Sequence, residues 1–318
     1  MVKKKEFFRK EHIPELIMAL KGRKEIPMKF EYIGKSGAEN WDKLVQSKHY
    51  GVGLKELNLI KNNMNTITNS FENKKFNLID LGPGNGIKTI PFIEEFGKTH
   101  NLVNLAILDI SEEMANLAVK NIKKKIKKNL KIKRYTIDFE EGNFAKITKE
   151  LKKEDYPNNF LVLLGNTVGN QFDRYRVLLN IRGSMGLSDY LLIGLEMRRE
   201  KDYEKIVKHY HVKEVYDTIT TNLGKLGIDK NKGKIEIIYN KKKNQVEGKF
   251  VLAEDIIIKI EKEKFKFKRG DKILLMISYK ATISDLRNLL AETGYKMIKY
   301  FVDKEKSYAL VLCQPIPL

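Results

Sequence analysis

A glycine-rich loop that follows an apolar run constrains the fold of this chain most. At positions 76–89 the sequence reads Phe-Asn-Leu-Ile-Asp-Leu-Gly-Pro-Gly-Asn-Gly-Ile-Lys-Thr, which places Gly82, Gly84 and Gly86 before a helix start. Glycine permits sharp turns and lets a ligand approach the backbone without a Cβ atom in the way. A strand, a glycine loop and a helix N-terminus together form a nucleotide-type pocket at the carboxyl edge of a parallel sheet. The G-x-G-x-G spacing is neither the G-x-G-x-x-G of dinucleotide enzymes nor a phosphate-binding P-loop.

Acidic residues stand where this strand and the next one end. Asp80 lies near the end of the first apolar run, and Asp109 lies at the end of a second run, Asn104–Ile110. An acid at the tip of the second strand is placed to accept hydrogen bonds from ribose hydroxyls. With the glycine loop, this arrangement resembles motif I and the acidic loop of class I S-adenosylmethionine (SAM) methyltransferases. The resemblance implies SAM as the cofactor, with Asp80, Asp109 and the loop glycines around it.

Strands and helices alternate from residue 76 to residue 196, which predicts an α/β fold with a parallel, doubly wound sheet. The predicted strands are Phe76–Leu81, Asn104–Ile110, Lys133–Asp138, Phe160–Leu164 and Tyr190–Glu196. The predicted helices are Ile87–Phe96, Glu112–Lys127, Asn143–Leu151 and Arg174–Met185. This alternation resembles that of the Rossmann-like sheet of class I SAM methyltransferases. Upstream, residues 30–44 begin with a strand-like pattern and then read as helical.

The pattern changes after residue 196, where a long helix is followed by strands with no helices between them. The helix is Tyr203–Leu223, and the strands are Lys234–Asn240, Val246–Leu252, Asp255–Ile260 and Phe265–Lys268. The β/α order then resumes with a helix, Ile283–Thr293, and a closing antiparallel hairpin, Tyr295–Val302 and Tyr308–Cys313. We therefore expect residues 56–196 and 281–318 to form the SAM-binding domain. Residues 1–55 and 197–280 would form an inserted α+β substrate-binding domain.

The charge of the chain is strongly basic. It has 61 basic and 41 acidic residues, a formal net charge of +20. Such a charge attracts nucleic acid and other polyanions. The lysines are nevertheless spread along the chain and are not interleaved with aromatic residues, which favours a solvated lysine surface. A protein or RNA substrate bound through this surface stays an alternative.

Composition limits the class of protein further. Hydrophobic residues make up 42% of the chain and aromatic residues 9%, as in globular proteins. No apolar run is long enough to span a membrane, and no apolar segment of a secretory signal follows the basic start. Cys313 is the single cysteine, which excludes internal disulfides and suits a reducing compartment. We therefore expect a cytoplasmic protein with no membrane partner and no metal site.

The loop after the fourth predicted strand carries amide side chains. It reads Leu-Gly-Asn-Thr-Val-Gly-Asn-Gln-Phe at positions 164–172, with Asn166 and Asn170 four residues apart. It lacks the [D/N]-P-P-[Y/F] motif with which methyltransferases act on exocyclic amines of nucleic acids, so adenine N6-methylation is disfavoured. Asn170 can offer amide groups to a small polar substrate. Alternatively, the asparagines and glycines only shape a turn.

Three motifs resemble the histidine-specific SAM methyltransferase family, which includes histidine Nα-methyltransferases of the ergothioneine pathway and dimethylallyltryptophan N-methyltransferases. They are Asp-Leu-Gly-Pro-Gly-Asn-Gly-Ile-Lys-Thr at 80–89, the 164–172 loop, and Gly-Lys-Ser-Gly-Ala-Glu-Asn-Trp-Asp-Lys-Leu at 34–44. The likeness covers most of the chain, including the inserted domain. It implies that Gly82, Lys88 and Asp109 contact SAM, and that Asn143 and Phe144 flank the adenine.

The same resemblance implies a substrate site for an amino acid or an amino-acid-like molecule. Asn170 would hold the α-amino group, with Asn166 in the same loop. Tyr50 and Tyr210 would line the substrate cleft, Tyr210 near the carboxylate; each tyrosine can equally be a domain-interface aromatic. His209 and His211 flank Tyr210, and their i, i+2 spacing on a helix would point them to different faces.

One departure from the family falls on the residues that recognise the side chain of the substrate. The family's Glu-x-Ser, which holds the imidazole, aligns with Met276-Ile277-Ser278, so Ser278 remains and the glutamate is replaced. Losing a charged acceptor should weaken imidazole binding by about 1.5–3 kcal/mol. The substrate is therefore open: another amino acid, a less polar side chain or a residue within a protein. A SAM-binding protein without turnover is the remaining alternative.

Overall fold

The computed structural model describes residues 8–47, 51–71, 75–98, 102–127, 130–152, 158–199 and 202–317. The chain divides into two compact units. The first, Met1–His49 with Glu200–Tyr279, is called the accessory unit below, and the second, Tyr50–Arg199 with Lys280–Leu318, is called the sheet unit. The assignment of SAM to one unit and of the substrate to the other stays a prediction.

Regular elements account for most of the described residues in both units. The helices are α1 (Ile13–Arg23), α2 (Gly34–Gln46), α3 (Gly51–Asn69), α4 (Ile90–Lys98), α5 (Glu112–Lys125), α6 (Ala145–Lys152), α7 (Arg174–Gly183), α8 (Tyr203–Lys208), α9 (Lys213–Ile219), α10 (Thr221–Lys225) and α11 (Ile283–Glu292). The strands are β1 (Phe76–Leu81), β2 (Leu102–Asp109), β3 (Ile132–Thr136), β4 (Asn158–Leu163), β5 (Tyr190–Glu196), β6 (Gly233–Asn240), β7 (Gln245–Leu252), β8 (Ile256–Ile260), β9 (Glu263–Phe267), β10 (Lys272–Tyr279), β11 (Tyr295–Val302) and β12 (Tyr308–Pro315).

The sheet unit is built on a seven-stranded sheet in the order β11-β12-β5-β4-β1-β2-β3. Strands β1 to β5 pair in parallel, and β12 lies antiparallel between β5 and β11. Strands β1 and β4 are buried along their whole length, as expected for a sheet covered by helices on both faces. Because the carboxyl ends of parallel strands meet at one edge, the loops after β1, β2 and β4 share that edge. The predicted parallel sheet and its closing hairpin are confirmed.

An aromatic cluster forms part of the core of the sheet unit. The Phe71 ring lies 4.7 Å from Phe76, 4.9 Å from Phe160 and 4.6 Å from Tyr190, measured between ring centroids. Offset and edge-to-face aromatic pairs stabilise a core beyond the area that they bury. Phe71 follows α3, so this cluster fixes the end of that helix against β1 and β4.

The accessory unit combines helices with antiparallel strands. A three-stranded sheet has the order β10-β7-β6, and β8 and β9 form a separate hairpin. The predicted strands after residue 233 are confirmed, whereas β10 was absent from the sequence-based prediction. An isolated parallel bridge joins Glu25 to Leu274 on β10, so the N-terminal segment and the inserted segment belong to one unit.

Two predicted elements of the accessory unit are wrong. The strand-like start at residue 30 is a 3-10 helix, Met28–Tyr32, against which the start of α2 packs so closely that a Cβ at Gly37 would overlap the carbonyl of Glu31. The single helix predicted over residues 203–223 is three short helices, α8, α9 and α10. His209 and Tyr210 therefore lie in the turn after α8, and not on a helix face as predicted.

The helix after the glycine loop also begins later than predicted, at Ile90 instead of Ile87. Turns occupy residues 87–89, and the side chain of Thr89 donates a hydrogen bond to the buried Asp80 Oδ2 at 2.5 Å. A similar shift affects α6, which begins at Ala145 because Asn143 accepts the backbone N–H of Ala145 and stands outside the helix. Side-chain contacts with the backbone compete with helical hydrogen bonds at such ends.

Candidate functional site

The glycine loop after β1 has the backbone that its sequence requires. Gly82, Gly84 and Gly86 have φ values of 66°, 58° and 76°, in the left-handed region that L residues with a side chain rarely adopt. The N–H of Gly82 donates to the carbonyl of Leu108 at 2.8 Å, which fixes the loop to the end of β2. A Cβ at Gly86 would lie 2.9 Å from the carbonyl oxygen of Ala118 on α5. Gly86 is therefore needed for the packing of the loop against α5.

Gly82 is different, because a Cβ there would find no atom nearer than 3.9 Å, the distance to Phe139 Cζ. Its backbone can therefore face a ligand without displacing protein atoms, as a nucleotide-binding loop requires. Phe139 is buried, and its ring ends beside the loop. Sequence reasoning missed Phe139; its only signal is an aromatic residue just beyond a strand end at the carboxyl edge of the sheet.

Two buried carboxyl groups lie at the carboxyl ends of β1 and β2. Asp80 is 2% exposed and Asp109 is 6% exposed. Burial raises the pKa of each to about 7, although a hydrogen bond from Thr89 opposes the shift at Asp80 and one from the Ser111 N–H opposes it at Asp109. The charge of Asp80 further raises the pKa of Asp109. The two carboxyl groups are therefore hydrogen-bond acceptors at the ends of adjacent strands. Hydroxyl donors of a ligand, or a cation, would stabilise their ionised form.

Lys88, the second residue after the last loop glycine, pairs with an acid that sequence reasoning missed. Its Nζ lies 2.6 Å from Glu56 Oε2, and Glu56 on α3 is fully buried. A Cβ at Gly194, in the interior of β5, would overlap Glu56 Oε1. An isolated glycine inside a strand indicates a close approach of another group, so Gly194 is the sequence signal that could have led to Glu56.

Asn143 and Phe144 precede α6. Asn143 is exposed, and its side chain caps Ala145 at 3.3 Å. Phe144 is buried, and its N–H donates to Ser184 Oγ at 2.7 Å. Their contact with an adenine, which the family resemblance implies, stays a prediction.

The loop after β4 is held in a strained conformation by its own amide groups. Asn166 has a φ of 61°, and its Nδ2 donates to Asn170 Oδ1 at 3.0 Å. Its Oδ1 accepts the N–H of Glu196 at the end of β5, at 2.9 Å. A Cβ at Gly169 would lie within 2.8 Å of the Asn166 amide group. The loop is therefore built around Asn166, with the half-buried Asn170 side chain attached to it.

In the accessory unit, two of the predicted substrate residues contact each other. Tyr210 Oη donates to Ser278 Oγ at 2.9 Å. Met276 stands two residues before Ser278 on β10, is 4% exposed, and both its Cβ and its Cε lie 3.3 Å from the position that a Cβ on Gly248 would take. Tyr50, the remaining predicted residue, lies outside the described residues.

Comparison with protein families decides the class of this protein. The family model for histidine-specific, SAM-dependent methyltransferases matches residues 12–315. The chain belongs to this family. It is therefore a SAM-dependent methyltransferase, and SAM is its cofactor. A search of curated protein sequences finds no match.

Solved structures of other methyltransferases are similar to this chain. The chain is similar to magnesium protoporphyrin IX methyltransferase (ChlM) from Synechocystis PCC 6803 with bound SAH, with a TM-score of 0.50, 11% identity, and coverage of 90% of this chain and 97% of that one. A SAM-dependent methyltransferase from Clostridium acetobutylicum ATCC 824 matches with a TM-score of 0.45, 11% identity, and coverage of 87% of this chain and 97% of that one. The similarity to the ChlM structure, together with the seven-stranded sheet, confirms the predicted class I, Rossmann-like fold.

The residues of the sheet unit fit SAM by their chemistry. The space beside Gly82 would admit a ligand, and Asp109 would supply an acceptor at the strand end where ribose hydroxyls are bound in such folds. SAM, when bound, supplies an electrophilic methyl group on a sulfonium ion. Among the described helices of the methyltransferase, none combines the length and the apolar character needed to cross a bilayer.

Proposed function

We propose that this methyltransferase N-methylates the α-amino group of a free amino acid or a close derivative. The observation that carries the proposal is the Asn166–Asn170 amide pair, which orients the Asn170 side chain in the loop after β4. In the family that the chain belongs to, the asparagine at this place holds the α-amino group of the substrate. Amide oxygen is a good partner for an amine, because it accepts a hydrogen bond and carries no full charge that would favour the protonated form.

The chemistry asks little of the protein beyond positioning. Methyl transfer is an in-line displacement, so the amine must be aligned with the methyl group and must have lost its extra proton. Asn170 would supply the alignment. By the same family resemblance, the hydroxyl of Tyr210 would lie near the carboxylate of the substrate, and its hydrogen bond to Ser278 supports a fixed orientation for it.

Met276 favours a side chain less polar than imidazole. A thioether is a weak acceptor and an adaptable apolar surface, unlike the glutamate of the family motif. Met276 is buried and packs over Gly248, so its side chain takes space that a second polar group would otherwise need. We therefore propose an aliphatic, aromatic or thioether-containing amino acid in preference to histidine.

The test is a methyl-transfer assay with tritiated SAM against each free proteinogenic amino acid, total RNA and a cell lysate separated by size. Label in one or a few free amino acids supports the proposal, and mass spectrometry of the product identifies the methylated nitrogen. Label only in macromolecules would overturn it and favour a protein or RNA substrate.

Asn170→Ala tests the residue that carries the proposal. We expect its affinity for SAM to stay within about twofold of the wild-type value, while methyl transfer falls by about 100-fold or more, since alignment is lost. Asn65→Ala is the matched control, because Asn65 is an exposed asparagine on α3. Full activity of Asn170→Ala would contradict the assigned role.

A further inference from the structure

A buried glutamate joins the two loops that the chemistry needs. Glu56 is fully buried on α3, and its two carboxylate oxygens accept hydrogen bonds from three different parts of the sheet unit. Lys88 Nζ donates to Oε2 at 2.6 Å, and the Gly165 N–H lies 2.9 and 3.0 Å from the two oxygens. Tyr308 Oη, on β12, donates to Oε1 at 2.7 Å. All of these partners are distant from Glu56 in the sequence.

The network continues from Glu56 to Asn170. Tyr308 Oη accepts the backbone N–H of Asn166 at 3.1 Å, and Asn166 Nδ2 donates to Asn170 Oδ1 at 3.0 Å. A continuous series of hydrogen bonds thus runs from Lys88, next to the glycine loop, to the loop after β4. Hydrogen bonds between charged partners are stronger than neutral ones, so the Lys88–Glu56 bond is the strongest of the series.

Glycines make room for this network at two points. A Cβ at Gly194 would overlap Glu56 Oε1 and lie 2.7 Å from Tyr308 Oη. A Cβ at Gly165 would lie 2.9 Å from Lys88 Nζ. Because Gly194 and Gly165 lack side chains, the backbone of β5 and of the loop after β4 leaves room for the Glu56 carboxylate and the Lys88 ammonium group.

We propose that Glu56 is a positioning residue that transmits occupancy of the SAM site to the loop that carries Asn170. A ligand that orders the glycine loop also restrains Lys88, which stands two residues after Gly86. Lys88 restrains the Glu56 carboxylate, and the carboxylate holds the Gly165 N–H directly and the Asn166 N–H through Tyr308. Binding of the methyl donor then holds the Asn170 amide more firmly in the orientation that Asn166 gives it.

The role of Asn170 toward the amine rests on the proposed function, whereas the coupling between the two loops can be tested without any amine. The measurement is hydrogen–deuterium exchange of a peptide spanning residues 160–172, with and without saturating S-adenosylhomocysteine (SAH). In the wild-type protein we expect SAH to slow the exchange of this peptide by about fivefold to tenfold. The β8–β9 hairpin, residues 256–267, serves as the internal reference and should not respond.

Two variants interrupt the network at different bonds. Glu56→Gln removes the charge that Lys88 contacts, and Tyr308→Phe removes only the hydroxyl that bridges Glu56 to Asn166. We expect the 160–172 peptide to exchange faster by about fivefold in each, and the slowing by SAH to be lost although SAH still binds by calorimetry.

A matched control separates this effect from a general loss of charge. Glu305→Gln also removes one acid that pairs with a lysine of α3, since Glu305 Oε2 lies 2.6 Å from Lys55 Nζ, but Glu305 is largely exposed. It should retain the wild-type response. Should Glu56→Gln fail to fold, Tyr308→Phe alone decides. A wild-type response to SAH in Tyr308→Phe, or a wild-type loop that does not respond to SAH, would overturn the proposal.

Discussion

The affinity of this methyltransferase for its cofactor should depend on pH through Asp109. Burial raises the pKa of Asp109 to about 7, the charge of Asp80 adds to the shift, and the Ser111 N–H opposes it. Roughly one tenth of the Asp109 carboxyls are then ionised at pH 6, half at pH 7 and nine tenths at pH 8. If the ribose hydroxyls donate to the carboxylate form, the apparent affinity rises by about fivefold from pH 6 to pH 7. From pH 6 to pH 8 it rises by about tenfold, equivalent to about 1.4 kcal/mol.

The raised pKa values of the buried aspartates also determine how the stability of the ligand-free protein changes with pH. The folded-state pKa values of Asp80 and Asp109, about 7, lie above 3.8, the ordinary value for an aspartate in an unfolded chain. The folded state therefore binds more protons than the unfolded state between these values. The contribution of these two groups to the free energy of unfolding is therefore highest below about pH 4 and decreases as the pH rises toward 7. Ligand binding to the ionised form offsets this loss, so the increase in Tm caused by SAH should grow with pH.

The assay is isothermal titration calorimetry with SAH at pH 6, 7 and 8, in two buffers of different ionisation enthalpy. At pH 7 the wild-type protein should release about half a proton per SAH bound. The interval from pH 6 to pH 7 is the diagnostic one, because the amino and carboxyl groups of SAH both keep their charge there. An affinity that stays constant over this interval, with no proton released, would refute the reasoning.

Substitutions at Asp109 and Asp80 test whether Asp109 is the group whose ionisation changes the affinity for SAH. Asp109→Asn should bind SAH more weakly and lose the change between pH 6 and pH 7, while Asp109→Ala should abolish binding. Asp80→Asn removes the charge that raises the pKa of Asp109, so the rise in affinity should move to lower pH. An unchanged pH profile in Asp109→Asn would place the titrating group elsewhere.

Three further predictions concern specificity and stability. Met276→Glu restores a charged acceptor and should raise kcat/KM for histidine by about 10- to 100-fold, with Met276→Gln as the uncharged control. Gly194→Ala should lower the free energy of unfolding by about 2–4 kcal/mol in urea titrations because its Cβ would overlap a buried carboxylate, whereas Gly22→Ala, with no atom near the added Cβ, should not. Burial raises the pKa of Glu31 from 4.5 to about 8, so the wild-type protein loses stability as the pH rises through that range. The free energy of unfolding of Glu31→Gln, relative to wild type, should therefore be about 3–5 kcal/mol higher at pH 9 than at pH 5. An equal difference between variant and wild type at the two pH values would contradict this cause.

Much of the sheet was predictable from the sequence, and the reason is local. Strands β1 and β4 are mostly apolar in sequence and buried along their whole length, because both faces of a parallel sheet are covered. The glycines of the loop after β1 mark a backbone that other residues rarely adopt. Such signals are contained in a few consecutive residues, so no knowledge of distant parts of the chain is needed to read them.

The errors came where a tertiary contact overrides a local preference. Residues 203–223 have a helical pattern, yet the chain turns after α8, and the hydroxyl of Tyr210 in that turn bonds to Ser278 on β10. The segment that begins at residue 30 has a strand-like pattern, yet it forms a 3-10 helix against which the start of α2 packs. Propensity is a weak prior beside such packing.

The sequence by itself determined the order of strands and helices along residues 76–196, the glycine loop, the acids at the strand ends and the family. Each of these features is contained in a short contiguous stretch of residues. Only the tertiary structure decided the chemical state of those acids and the position of Glu56. A glutamate on a helix reads as a solvated residue, and its burial beside Gly194, Lys88 and Tyr308 depends on segments more than 30 residues away in the chain. Desolvation and long-range hydrogen bonds are properties of the assembled neighbours, so the pKa of Asp109 near 7 exists only once β1 and β2 lie side by side.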